Sequence, residues 1–300
     1  MPDVPDVPDV PDVPDVPDAP GTPDNSGTSG TFGASGTSGT SGTSGTSGTS
    51  SHQPEGRSAP PKPAWYAAPP GRWRDWLTVL HPPYTAWHLS YVLIGASMAP
   101  RFHLERLAAT LIAFGLAVGI GAHGLDELRG RPLGTGIPSP VLAAVSAAAI
   151  VAAVVVGALG TEQVGWGLAG FIAAGVVLVV TYNLELWGGR LHNGTVFALG
   201  WGSFPLLTAY YAQAATIRPA AVVGAAFAFG LSSAQRELST EAREVRRRVV
   251  AVDGERTYSD GSRRPISQAS VLRPLERGLV ALSWSTCLLG VSLVLVRTGH

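Results

Sequence analysis

The 300-residue chain contains few charged residues, a single lysine and a single cysteine. Charged residues make up 14% of it, against about 25% in typical globular proteins. Its apolar residues are grouped in long blocks, which indicates an integral membrane protein. Because Lys62 precedes those blocks, the composition excludes a lysine Schiff base within the apolar part. Cys287 has no second cysteine to pair with, and its apolar neighbours favour a buried structural thiol over a nucleophile.

Several catalytic and metal-binding patterns are also missing. The sequence has no P-loop lysine, no Gly-x-Ser-x-Gly elbow and no Gly-x-Gly-x-x-Gly at a strand-to-helix turn, so soluble nucleotide chemistry is not indicated. His123 and His192 are isolated histidines at predicted helix ends, without the His-x-x-x-His spacing or the cysteine neighbours of a zinc site. Zinc is therefore not expected, and hydrogen-bonded structural roles are favoured for both side chains.

Basic residues are absent from the first 56 positions, which hold eight acidic ones. Residues 2–16 repeat Pro-Asp-Val, and residues 26–51 are largely Ser-Gly-Thr repeats with almost no apolar side chains to bury. The sequence therefore predicts a disordered, cytoplasmic, low-complexity tail over 1–70, which acts as a spacer or has no role, and no secretory signal. After residue 56 the chain carries 21 basic and 13 acidic residues, a net charge of +8.

The part from 71 to 300 is predicted to form an all-α transmembrane bundle of about seven spans. A helix of about 20 apolar residues crosses a hydrocarbon core of about 30 Å. The seven apolar segments cover approximately 79–99, 102–122, 139–159, 163–182, 195–214, 219–235 and 275–296. They are rich in small residues, including Gly115-x-x-x-Gly119, a spacing that suits close helix packing.

The arginines favour one orientation of this bundle. With a cytoplasmic N-terminus, the inside loops hold Arg72, Arg74, Arg129, Arg131, Arg190 and nine arginines from Arg236 to Arg273, whereas the outside loops hold Arg101, Arg106, Arg218 and Arg297. The positive-inside rule therefore predicts a multi-pass cell-membrane protein with an arginine-rich cytoplasmic arm at about 236–274. Within that arm, an Asp253-Gly254 turn between β-prone residues predicts a small hairpin.

The polar loop from His123 to Gly136 is the first candidate for chemistry. It carries the adjacent carboxylates Asp126 and Glu127, followed by Arg129 and Arg131. Carboxylate oxygens suit Mg²⁺ shared with substrate phosphates, and guanidinium groups suit the phosphate oxygens themselves. The alternative is a solvated loop whose charges only mark topology.

Other polar stretches are predicted at the same face of the bundle. They are Tyr182-Asn183-Leu184-Glu185 with Arg190, and Gln235-Arg236-Glu237-Leu238-Ser239-Thr240-Glu241. Glu237 and Glu241 lie one helical turn apart, so they project from the same side of a helix and have the spacing to share a metal ion. In the alternative interpretation they pair with the following arginines along a solvated helix.

Several segments then resemble a known family. His81-Pro82-Pro83-Tyr84-Thr85 resembles its opening Arg-Pro motif, and Tyr182 to Arg190 resembles a tyrosine-containing turn after its fourth helix. Gly200-Trp201-Gly202-Ser203-Phe204-Pro205 resembles its fifth helix. The most specific match is Arg131-Pro132-Leu133-Gly134-Thr135-Gly136-Ile137-Pro138-Ser139. The family is that of the UbiA-type membrane prenyltransferases, which transfer an isoprenoid from its diphosphate to an aromatic or other acceptor.

The chain departs from this family at three places. Ala122 and His123 stand where asparagine and aspartate are usual, Glu237-x-x-x-Glu241 replaces the second aspartate motif, and seven spans replace nine. A fold does not by itself secure a function, so the fold and the transferase activity are separate expectations.

The resemblance implies a cytoplasmic cavity that binds a prenyl diphosphate through Mg²⁺ and transfers its isoprenyl group to a lipophilic acceptor, without nucleic acid. The metal ligands would be Asp126, Glu127, Glu237 and Glu241, the first two also catalytic. The diphosphate would bind Arg129, Arg131, Arg190 and Arg236, and the cavity would be lined by His123, Asn183, Glu185 and Gln235. The alternatives are terpene cyclisation by the same ionisation, or a non-catalytic lipid-binding or partner-docking membrane protein.

Overall fold

A computed structural model describes residue 64 and residues 66–299, apart from the side chain of Arg72. The tail predicted over 1–70 therefore lies almost entirely outside the described residues. Within them, helices dominate, as predicted. The helices are α1 (Arg72–Val79), α2 (Pro82–Met98), α3 (Leu104–Leu128), α4 (Ser139–Val164), α5 (Gly167–Asn183), α6 (Gly194–Ala198 continuing through Phe204–Ala214), α7 (Pro219–Arg247) and α8 (Gln268–Thr298). A hairpin of β1 (Glu255–Thr257) and β2 (Arg263–Pro265) joins α7 to α8.

Three of the described helices are long and apolar enough to cross a membrane: α3, α4 and α8. Helix α5 is also apolar but has 17 residues. The chain therefore has the character of a membrane protein. Helices α2 to α8 coincide with the seven apolar segments of the sequence, but length and composition support three spans among the described residues, so the number seven stays a prediction.

Helix starts follow local sequence signals. Two prolines open α2 at positions where no helical donor is needed. The side chain of Asn193 caps α6 by accepting a hydrogen bond from the backbone N–H of Val196 at 2.9 Å. Ser267 and Ser270 form a reciprocal cap at the start of α8. These caps satisfy backbone donors that would otherwise have no partner.

The hairpin of the arm forms a few residues later than the sequence indicated. Asp253-Gly254 lies before β1, and the turn instead uses Asp260-Gly261, where Gly261 has a φ of +79°. The Asp260 carboxylate accepts a hydrogen bond from the N–H of Ser262 at 2.8 Å. Both dipeptides have turn chemistry, and the pairing of Glu255 with Pro265 decides between them.

Helix α2 lies at the centre, against α6, α7 and α8. Trp87, Tyr91 and Ile94 of α2 form a buried cluster with Leu206 and Ala228. A Cβ on Gly95 would meet the carbonyl oxygen of Leu206 at 2.2 Å, so glycine is required where α2 and α6 touch. The helices that surround the polar residues are therefore held closely together.

Two π-helical stretches interrupt the regular helices, Gly115–Ala122 in α3 and Leu199–Ser203 in α6. Such stretches are rare and often lie at functional sites. The first ends directly before His123, and the second contains Trp201. Both therefore adjust the register of residues that face the cavity described next.

Candidate functional site: a polar cavity beside an apolar groove

A polar cavity of about 180 Å³ lies at one end of the bundle. Its walls come from α2, α3 and the loop that follows it, α5, α6, α7 and α8, together with Ala64 and Tyr66 before α1. Titratable or polar side chains in its lining are His81, His88, His123, Asp126, Asn183, His192, Gln235, Ser239, Arg236, Arg243, Arg246 and Arg247, and aromatic ones are Tyr66, Tyr84, Tyr182, Phe197 and Trp201. The tertiary structure thus gathers four arginines and four histidines around one space.

The arginines come from one face of α7. Arg236 and Arg243 are seven residues apart and Arg247 is four residues further, so they follow one side of the helix. Arg236 donates a hydrogen bond to the Tyr182 hydroxyl at 2.8 Å, and its guanidinium lies 5.0 Å from the centre of the Phe197 ring. These contacts hold its charge at the cavity wall.

Positive charge exceeds negative charge at this end of α7. Burial, followed by repulsion from Arg243, lowers the pKa of Arg247. Arg246 is ion-paired with Glu276 of α8, whereas Arg243 donates to the Ser239 carbonyl and the Thr240 hydroxyl. The arrangement suits an anion with several oxygen acceptors, such as a phosphate or diphosphate.

Glu237 and Glu241 lie on the other side of α7. Both side chains are exposed, and neither lines the cavity. Adjacent residues of a helix point about 100° apart, so a helix that turns Arg236 and Arg243 inward turns these two carboxylates outward. The structure does not bring them to Asp126.

Asp126 and Glu127 also face different ways. Asp126 lines the cavity, within electrostatic range of His192 and Arg243. Glu127 has no exposed surface, and its two oxygens accept hydrogen bonds from the N–H of Leu133 at 2.9 Å and from the N–H and hydroxyl of Thr135 at 2.8 Å each. Glu127 thus holds the loop that follows α3 rather than facing the cavity.

The remaining arginines predicted to bind diphosphate do not reach the cavity lining. Arg131 donates to the carbonyls of Thr135 and Ile137 and to the Ser139 hydroxyl, so its guanidinium closes its own loop. Arg129 pairs with Glu185 at 3.5 Å on the surface, and Arg190 is exposed. Of the four, Arg236 alone lines the cavity within the described chain.

Two of the predicted polar residues do lie in the lining. Asn183 and Gln235 are buried there, and the Asn183 amide donates to the Val179 carbonyl at 2.7 Å, which leaves its oxygen for other partners. Glu185 lies outside the lining, in the surface pair with Arg129. His123 lines the cavity, with its ring 4.3 Å from that of His81.

The segment before α1 covers part of this cavity, which the sequence did not indicate. Ala64 and Ala67 are buried, and the Ala68 N–H donates to the Thr78 hydroxyl at 3.2 Å. The Tyr66 ring lies 5.4 Å from His81 and 5.6 Å from Tyr84, and burial raises the pKa of its hydroxyl. The sequence placed this segment in the tail, although its aromatic residues differ from the repeats that precede it.

An apolar groove of about 310 Å³ lies deeper in the bundle, between α3, α4, α5 and α6. Its lining is mostly small or aliphatic, with four aromatic residues, and its far mouth carries Glu105, Arg106 and Gln163. Trp201 lines both this groove and the polar cavity. This buried aromatic side chain is therefore a wall of both spaces, a relation that could not be inferred before the helices were packed.

The donor atoms at the cavity match a diphosphate better than a metal cluster. Among the described residues, no group of three or more histidine, cysteine or acidic side chains is placed to hold a metal ion. Asp126 can contribute one carboxylate to a Mg²⁺ ion that substrate phosphates also hold, a common arrangement for this ion. The four carboxylates predicted together do not form one site.

No protein-family model, curated protein or solved structure matches this chain.

Proposed function

We propose that this protein is a membrane enzyme resembling the UbiA-type prenyltransferases, which binds a prenyl diphosphate and transfers its isoprenyl group to an acceptor. The observation that carries the proposal is the shared position of Trp201. This residue lines both an arginine-lined polar cavity and an apolar groove. A ligand with a diphosphate head and a hydrocarbon tail has the same two parts in the same order.

The head would bind at α7. Arg236 is held by Tyr182, and Arg243 and Arg247 follow on the same face. Guanidinium groups form charge-assisted hydrogen bonds with phosphate oxygens that are stronger than neutral ones. When bound through Asp126, Mg²⁺ would neutralise part of the charge on the leaving diphosphate.

The tail would follow α3 along the groove. From Val118 near Trp201 to Arg106 at the far mouth, the lining extends over twelve residues, or about 18 Å at 1.5 Å per residue. This exceeds half of a hydrocarbon core of about 30 Å. The groove could therefore accept a tail that passes the middle of the membrane.

The first chemical step would be cleavage of the allylic carbon–oxygen bond. The arginines stabilise the departing diphosphate, which keeps the electron pair, and the faces of Trp201 and Tyr182 offer their π electrons to the cation left behind. Their rings lie 4.4 Å apart. The apolar helices around them exclude water, which would otherwise capture the cation.

The proposal includes seven spans with the polar cavity on the cytoplasmic side. The arginine distribution favours this orientation by the positive-inside rule, and α2 to α8 supply seven helices. A non-catalytic protein that binds a phosphorylated lipid is the second candidate, and the outward position of Glu237 and Glu241 favours it.

The test uses the purified full chain in lipid nanodiscs, with geranyl, farnesyl and geranylgeranyl diphosphates, in Mg²⁺ or in EDTA. We expect diphosphate release in Mg²⁺ with at least one substrate. Binding without release would favour the second candidate. If the protein neither binds these compounds nor releases diphosphate from them, the proposal is overturned.

Substitutions in the groove make the test specific to the tail. Ala117 lines the groove next to Val118, which packs in one cluster with Trp201, so Ala117→Phe should abolish release with every tail. Ala109→Phe, nearer the far mouth, should abolish release with the longest tail only. Ala108→Phe is the matched control, because Ala108 is exposed and outside the lining. Equal effects of all three substitutions would contradict the assignment of the groove.

A further inference from the structure

His88 is the most deeply placed histidine of the cavity, with a relative exposure of 7%. Its Nδ1 lies 2.7 Å from the carbonyl oxygen of Trp201. A carbonyl can only accept a hydrogen bond, so Nδ1 carries the proton. The neutral ring therefore has its lone pair on Nε2, in the form that accepts a proton.

The backbone around Trp201 explains why this bond exists. In a regular helix the Trp201 carbonyl would accept from the N–H of residue 205, but that residue is Pro205, which has no N–H. The residue lies in the π-helical stretch of α6, which rearranges the same hydrogen bonds. His88 of α2 supplies a donor to this carbonyl, and its ring orientation is fixed by that bond.

The position of His88 matters because Trp201 is the residue common to the polar cavity and the apolar groove. In the proposed function, on which this inference rests, the head and tail of the prenyl diphosphate meet at Trp201. The carbon that joins them is the reacting carbon. His88 is hydrogen-bonded to the residue beside that carbon.

The other titratable groups of the cavity are placed less favourably for proton removal there. His192 binds the Tyr182 carbonyl at 3.1 Å and stacks on the Tyr182 ring. His81 binds the Val79 carbonyl at 2.6 Å and lies against His123. Asp126 lies within electrostatic range of His192 and Arg243, where the diphosphate would bind.

We propose that His88 is the catalytic base that removes the proton from the acceptor. The carbon–oxygen bond of the prenyl diphosphate breaks and the electron pair leaves with diphosphate. The hydroxyl oxygen of the acceptor, a neutral aromatic hydroxyl compound, forms the new bond to the isoprenyl carbon, and the proton of that hydroxyl group passes to Nε2 of His88. The rings of Phe197 and Trp201 are near-parallel, with centres 5.9 Å apart and an angle of 6° between their planes, and the centre of the Phe197 ring lies 6.2 Å from that of His88, so aromatic rings lie close to this histidine.

The test separates transfer from ionisation. His88→Asn keeps an N–H at the position of Nδ1, and so the bond to Trp201, but lacks Nε2. With geranyl diphosphate and p-cresol as the acceptor probe, we expect prenylated p-cresol to fall by about 100-fold, the usual scale for losing a general base. Diphosphate release should fall by less than about 3-fold, because ionisation does not need the base.

Two further variants guard against a change in folding. His88→Ala opens space for exogenous imidazole, which should restore prenylated p-cresol without changing diphosphate release. His103→Asn is the matched control, because His103 lies outside the cavity and pairs with Glu105, and it should change neither readout.

Each other outcome counts against the inference. Equal losses of transfer and release in His88→Asn, or no imidazole rescue in His88→Ala, would show a structural role. A wild type that releases diphosphate but does not prenylate p-cresol would overturn the assigned acceptor and base. A wild type that releases no diphosphate would overturn the proposed function and this inference with it.

Discussion

The polar cavity and the apolar groove share Trp201 as a lining residue but are built in opposite ways. In the cavity, long polar side chains are fixed by specific bonds, such as Arg236 to Tyr182 and His88 to the Trp201 carbonyl. In the groove, small residues such as Ala113 and Gly157 leave space between helices and offer no hydrogen bonds. The cavity can therefore recognise the charge of a ligand and the groove the length of its tail. Substitutions in one region can alter its recognition without altering that of the other.

The two faces of α7 show the same separation within one helix. Arg236 and Arg243 face the cavity, whereas Glu237 and Glu241 face away from it. Arginines and glutamates lie so close together in the sequence that composition does not predict which of them face the cavity. This separation means that the charge at the cavity is positive even though the helix as a whole carries both signs.

The largest expected effect comes from removing positive charge from the cavity. The double variant Arg236→Gln, Arg243→Gln should weaken binding of inorganic diphosphate by about 100-fold or more, because each hydrogen bond to a charged group contributes about 1.5–3 kcal/mol. Isothermal titration calorimetry in detergent would measure this. The matched control is Arg190→Gln with Arg218→Gln, both exposed and outside the cavity; an equal loss in that control would mean that the effect is only one of net charge.

An intermediate effect, on stability rather than on charge recognition, is expected from Glu127→Gln. The buried carboxylate accepts three hydrogen bonds, and an amide would turn an NH₂ group toward at least one of the donors. Leaving a buried donor without an acceptor costs about 1–3 kcal/mol, so the temperature of thermal unfolding should fall by several degrees. Diphosphate affinity should fall far less than in the arginine pair.

The control for that variant is Glu162→Gln, an exposed carboxylate on α4. It should leave the unfolding temperature within about one degree of wild type, because surface substitutions are usually close to neutral. If Glu127→Gln were as stable as wild type but lost diphosphate binding, Glu127 would face the ligand and the hydrogen bonds to Leu133 and Thr135 would not govern its role.

The smallest effect is expected from the outer face of α7. Glu237→Gln with Glu241→Gln should change Mg²⁺-dependent diphosphate release by less than about 2-fold, since exposed charges contribute little. Asp126→Asn, by contrast, removes the carboxylate in the cavity lining and should reduce release by about 10-fold or more. A large loss of diphosphate release in the double glutamate variant would instead support the shared metal site that the spacing of the two residues suggests.

The sequence predicted the positions of the helices well. Its seven apolar segments coincide with α2 to α8, because the lengths and boundaries of apolar helices depend on residues close together in the chain. It was less successful with close packing: Gly115 meets nothing within 4 Å of its Cβ position, whereas Gly95, which the sequence did not single out, lies against the α6 backbone. Packing depends on which residues two distant segments present to each other.

The candidate site divides in the same way. Asp126, Arg236, Asn183, Gln235 and His123 were predicted from sequence and line the cavity. His88, Tyr66 and the groove were not predicted. A histidine within an apolar segment, or a tyrosine after a repeat, has no neighbouring residues in the sequence that form a recognisable site motif. The contact that gives His88 its significance is with Trp201, 113 positions further along the chain.

By itself, the sequence determined that this chain is helical and has the character of a membrane protein, because hydropathy and turn chemistry act over a few neighbouring residues. The tertiary structure alone decided which charges share a space. Asp126 and Glu127 are neighbours with the same chemistry, yet one lines the cavity and the other holds a loop. A helix turns each successive residue by about 100°, so the packing of the whole bundle, rather than proximity in the chain, selects which of them reaches the site.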